Sequence, residues 1–164
     1  AQYGALSQLN RVFETLEMVY FQPPNVAGWK AYYQEPLFYR TWINSVTLGN
    51  RQNITNLLTS GSLAIGDFRI QIDAVSFIDS LENNLDVNLM IHEIANFITP
   101  LGITEEQKDY IKDILLPGLP DYEWNMEYDE YLNNPDDEAI REALNNKLLD
   151  MLNTLFKMPE YYLS

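Results

Sequence analysis

The stretch Asn134-Pro135-Asp136-Asp137-Glu138-Ala139-Ile140-Arg141-Glu142-Ala143-Leu144, running on through Leu148, Met151, Leu152 and Leu155 to Pro159, decides the fold class. Asn134 reads as an N-cap and Pro135 as the first helical residue. Asp136, Asp137 and Glu138 then lie against the positive end of the helix macrodipole. Ile140, Leu144, Leu148, Met151, Leu152 and Leu155 recur at steps of three and four, the spacing of one buried helical face. Pro159 closes the run.

The same pattern recurs upstream. Thr104-Glu105-Glu106-Gln107 has the form of a capping box, and its helix reaches Leu116 before Pro117-Gly118. Asp86 precedes a helix with a stripe of Leu89, Met90, Ile94, Phe97 and Ile98, stopped by Pro100. Val75, Ile78 and Leu81 make a short stripe that Asn83-Asn84 breaks. Toward the N-terminus, Leu6, Leu9, Phe13, Leu16 and Tyr20 predict a helix over about 5–21. Trp42, Ile43, Val46, Ile54, Leu57 and Leu58 predict another over about 41–59, weak at Gly49-Asn50 and ended by Ser60-Gly61. Between 61 and 72, Phe68, Ile70 and Ile72 alternate with Arg69 and Gln71, as in one short extended segment. The expectation is a mainly α protein, an irregular bundle of about six helices with long ordered loops, forming a single domain over 1–164.

Charge is uneven along the chain. Residues 1–72 carry five basic and four acidic side chains, while the remainder carries five basic and twenty acidic ones, giving the total of −14. Such a surface repels phosphate backbones and anionic headgroups, so the charge excludes nucleic acid as the expected partner. No apolar run approaches membrane-spanning length, which excludes membrane insertion by a helix. The absence of cysteine excludes disulfides, thiolate metal sites and cysteine nucleophiles.

Phe21-Gln22-Pro23-Pro24-Asn25-Val26-Ala27-Gly28-Trp29 ends the first helix at its proline pair and leads to Trp42-Ile43-Asn44-Ser45. With Leu116-Pro117-Gly118-Leu119-Pro120-Asp121-Tyr122-Glu123-Trp124 and Met158-Pro159-Glu160-Tyr161-Tyr162-Leu163-Ser164, it resembles a large bacterial family, domain of unknown function 1800, in its Bacteroidetes-type branch. The Tyr-rich link from Lys30 to Thr41 is longer than in many members. The resemblance implies that the chain is the C-terminal portion of a longer, exported protein. It also implies an extracytoplasmic location, periplasmic or secreted.

Four constellations bear on chemistry. His92-Glu93 begins like a zinc-protease helix, but Asn96 stands where a second histidine is needed, so the chain's one histidine is expected to be structural. Tyr122, Trp124, Tyr128 and Tyr131 interleave with Asp121, Glu123, Glu127, Asp129 and Glu130. Rings beside carboxylates suit sugars, yet this spacing more often packs rings inward and leaves acids solvated. Asp129, Glu130, Asn133, Asn134, Asp136 and Asp137 are calcium-type oxygens that do not follow the EF-hand template. The proline-stiffened loop offers Asn25, Trp29, Trp42, Asn44 and Arg51 as ligand-binding residues.

No catalytic set, metal site or cofactor is expected from these residues. The reading is a non-catalytic binding or scaffold module. Its partner would be the N-terminal region of its own protein or another protein. The alternatives are part of a hydrolase acting on polysaccharide or another extracellular polymer, and a calcium-stabilised module.

Overall fold

The computed structural model describes residues 2–16, 44–65, 68–99 and 101–162. Two compact units are present, 1–71 and 72–162. Among the described residues the fold is mainly α, with eight helices and one short two-stranded sheet.

In the first unit, α1 spans Gln2–Thr15, and the Asn50 side chain donates to the Thr15 carbonyl at 2.9 Å. The expected continuation to Tyr20 and Phe21 lies outside the described residues. Helix α2 (Ser45–Thr59) starts at a capping box in which Asn44 Oδ1 accepts from the backbone of Val46 and Thr47 while Thr47 Oγ1 accepts from the Asn44 N–H. Gly49-Asn50 does not interrupt it.

The buried face of α2 is a row of threonines, Thr47, Thr55 and Thr59, where an apolar stripe was expected. Their hydroxyls are satisfied within the helix: Thr59 Oγ1 donates to the Thr55 carbonyl and Thr55 Oγ1 to the Gln52 carbonyl. Val46 and Leu57 face solvent. The expected extended segment has a partner: β1 (Leu63–Ile65) and β2 (Phe68–Ile70) form an antiparallel hairpin, with Ala64 opposite Arg69. Gly61 adopts a left-handed φ of 64° next to the Gln71 side chain, which stands 2.8 Å from where a Cβ would be.

The second unit contains α3 (Ala74–Asp79), α4 (Val87–Ile98), α5 (Glu105–Leu115), α6 (Tyr122–Asn133), α7 (Glu138–Phe156) and α8 (Pro159–Tyr162). Helix α7 packs on α3, α5 and α6, and α4 packs on α5. Leu144, Leu148, Met151, Leu152 and Leu155 of the expected stripe are buried, and Ile140 is half-buried. The Thr104–Gln107 capping box and the Asp86 cap form as expected.

Helix α6 was not anticipated, and it shifts the start of α7. Asn134 is the C-cap of α6, its N–H and Nδ2 both bonding the Glu130 carbonyl, with Pro135 following as prolines often do after a C-cap. The N-cap of α7 is Asp137, whose Oδ1 accepts from Ala139 and Ile140. On α4, Met90, Ile91, Ile94 and Ala95 define the buried face. Leu89 and Phe97 sit about a quarter-turn or more to its side at 100° per residue and are exposed, contrary to the expected stripe.

Helix α3 has only six residues, too short to hold together alone, so its first turn draws on α7. Asn145 Oδ1 accepts from the buried N–H groups of Ala74 and Val75 at 2.9 and 3.3 Å. Asn145→Leu is expected to destabilise the protein by about 1–3 kcal/mol, since it strands buried donors without changing side-chain size much. Urea denaturation measures this, and an unchanged midpoint would refute the role.

Candidate functional site

Of the residues expected to bind ligand, Asn25, Trp29 and Trp42 lie outside the described residues. Asn44 caps α2 through Oδ1. Arg51 lies half-buried seven positions along the same helix, a spacing that places it on roughly the same face.

The zinc-protease-like pair works locally in the structure. His92 Nε2 contacts Asn96 Nδ2 at 3.0 Å and Nδ1 contacts Lys108 Nζ at 2.9 Å. Because an ammonium can only donate, the Nδ1 atom is the acceptor. Glu93 accepts from the backbones of Glu82 and Asn83 and from Asn83 Nδ2, each at 3.1 Å, and so clamps the α3–α4 loop. The Glu82 N–H is the main reason its carboxyl is held below the usual value.

Helix α6 turns the acidic and aromatic stretch into a structural spine. Trp124 and Tyr128 are buried and stacked with ring centroids 5.3 Å apart. Trp124 Nε1 donates to the Asn84 carbonyl at 2.8 Å, and Asn84 Nδ2 donates to the Tyr128 hydroxyl. Tyr128 and Tyr131 donate to the two oxygens of Asp79 at 2.6 and 2.9 Å. Burial, reinforced by the Asp79 carboxylate, pushes both phenols above their ordinary range. Trp124 and Tyr128 thus pack inward as expected, Tyr131 is half-buried, and Tyr122 faces solvent.

Arg141 grips Asp73 at 2.6 and 2.8 Å, and Asp73 also caps α3. Burial raises the Asp73 carboxyl, but the Ser76 N–H and Arg141 outweigh it and hold it below the usual value. In the calcium-type segment, Asp137 is committed to capping α7, while Asn133 and Asn134 donate to the carbonyls of Asp129 and Glu130. Among the described residues no group of three or more His, Asp or Glu side chains is placed to hold a metal ion.

An open groove remains in the second unit. It has a volume of about 360 Å³ and is walled by Phe77 of α3, Phe97 and Ile98 of α4, Leu152 and Phe156 of α7, and Tyr161 of α8. Phe97 is 76% exposed, and its ring leans on Phe77 at 5.9 Å; the rings of Phe156 and Tyr161 stand 5.1 Å apart. Sequence reading assigned Phe97 and Ile98 to the core and did not find this groove. The usable signal was a doublet at the end of a helix whose buried face is already filled by Met90, Ile91 and Ile94.

What the fold and these contacts define is a mainly α protein in which Asp73, Asp86 and Asp137 cap helices, Glu93 clamps a loop, and Tyr128 and Tyr131 bond Asp79. The family profile described as protein of unknown function (DUF1800) matches residues 2–163, and the chain belongs to that family. No curated protein and no solved structure matches it. No helix among the described residues is long and apolar enough to cross a membrane.

The Tyr128–Asp79 bond gives a pH-dependent expectation. A phenol raised in the folded state stabilises the fold below its unfolded pKa of about 10, and that contribution is lost as pH rises toward the folded value. Tyr128→Phe should therefore cost about 1.5–3 kcal/mol at pH 7, the range for a hydrogen bond to a charged group, and the gap to the parent should narrow above pH 10. Urea melts of both proteins at the two pH values decide it. A gap constant with pH would refute the coupling.

Proposed function

We propose that this chain is a non-catalytic binding or scaffold module of an exported bacterial protein of the Bacteroidetes-type branch, resident outside the cytoplasm. The observation that carries the reading is the aromatic groove left open to solvent in the second unit. Concave apolar surface is costly to leave exposed and is characteristic of binding sites. The resemblance of the Pro23–Trp29 loop and of the C-terminal segments to this bacterial family supports the source and location. The partner is the N-terminal region of its own longer protein or a separate protein. The net charge disfavours nucleic acid. Asn25, Trp29, Trp42, Asn44 and Arg51 are proposed as further contacts of the first unit.

Nile red, a neutral dye that brightens in apolar surroundings, tests the groove directly. The native protein should enhance its fluorescence, and Phe97→Ser should reduce that enhancement several-fold while leaving the melting temperature nearly unchanged, because an exposed ring contributes little to the core. Absence of any enhancement by the native protein would mean a closed groove and would overturn the reading.

A further inference from the structure

The groove must be read together with the charges of its unit. Residues 72–162 carry twenty acidic side chains against Lys108, Lys112, Arg141, Lys147 and Lys157. Four of these five cations are already in ion pairs: Lys108 with Glu105, Lys112 with Asp109 and Asp121, Arg141 with Asp73, and Lys147 with Glu127. Those pairs engage five carboxylates and leave fifteen with no cation among the described residues. Close to the groove, Glu93 one helical turn before Phe97 is bonded to the α3–α4 loop, Glu160 beside Tyr161 accepts from Gln107, and Lys157 stands next to Phe156, so the negative excess belongs to the unit as a whole. An apolar trough in an acidic unit repels a second copy of itself and an anionic membrane alike. It complements an apolar face flanked by positive charge.

We propose that the groove is a docking site for a cationic amphipathic helix of a partner protein, whose apolar side chains fill the trough while its Lys and Arg face the unit's excess of carboxylates. The assignment rests on reading the chain as a binding module and adds the chemistry of what it binds. Helix-in-groove recognition uses anchors at i, i+3 or i+4 and i+7, and aromatic walls such as Phe77, Phe97 and Phe156 supply large contact area to such anchors. The surrounding carboxylates would speed encounter and set the partner's sign more than they deepen affinity.

The full chain is titrated by fluorescence anisotropy with two synthetic amphipathic helices of equal length and identical Leu pattern, one with Lys and the other with Glu at every polar position. The Lys helix should bind, weaken markedly between about 50 and 200 mM salt through screening, and lose about tenfold or more in affinity to the Phe97→Ser protein. Equal binding of the Lys helix to parent and variant would show a general charge effect and overturn docking in the groove. Phe97-dependent binding of both helices would overturn the cationic partner and leave the binding module standing. Failure of both helices, in a protein that still brightens Nile red, would likewise overturn this inference alone. Sedimentation revealing a dimer that Phe97→Ser dissolves would assign the groove to a second copy instead.

Discussion

The second unit depends on one helix being covered on several sides at once. Helix α7 buries Leu144, Leu148, Met151, Leu152 and Leu155 against α3, α5 and α6. Each such side chain is worth about 1.5–3 kcal/mol when fully removed from water. The same helix sends out polar tethers: Arg141 to Asp73, Asn145 to the first turn of α3, and Lys147 to Glu127 of α6. The division of labour has a physical logic. Apolar burial is non-directional and fixes that the helices pack, whereas the tethers are directional and fix where along α7 each neighbour sits. Helix α3, with six residues, exists only in that setting.

What the sequence made legible follows from this arrangement. The α7 stripe, the two caps at Asp86 and Thr104 and the short α3 stripe are local patterns, and each was readable because the residues that matter are close in sequence. Helix α6 was not readable because its buried positions, Trp124 and Tyr128, are aromatics embedded in acids, while its aliphatic residues Met126 and Leu132 face solvent. The start of α7 lies three residues beyond the expected Asn134, since Asn134 and Pro135 serve the end of α6 and Asp137 is the N-cap of α7. The threonine face of α2 escaped for a related reason: hydroxyls that bond their own helix carbonyls can be buried, and hydropathy patterns do not register that.

The candidate site was less legible than the fold because its parts are distant in sequence. Phe77, Phe97, Phe156 and Tyr161 come from four helices, and nothing in any one segment shows that they converge. His92, Glu93 and the α6 carboxylates lie within helices, and of these Glu93 reaches across to backbone donors of a loop that need partners. Glu93 illustrates the point. A carboxylate following a histidine suggests chemistry, but here it accepts three N–H groups from the α3–α4 loop, a geometry that leaves it a poor base and a good clamp.

Acidity and the open groove are two halves of one physical balance. An exposed aromatic trough promotes self-association through the hydrophobic effect, and a unit that kept charges balanced would have little to oppose it. Here the excess of carboxylates over cations makes any encounter between two copies repulsive before the grooves can meet. Four of the five cations are tied up inside the unit at contacts as short as 2.6 Å, which leaves Lys157 alone to offer complementary charge to a neighbouring copy. The repulsion that keeps copies apart becomes attraction for a partner of opposite sign. On the docking proposal, one charge distribution would both disfavour pairing of two grooves and favour a cationic partner.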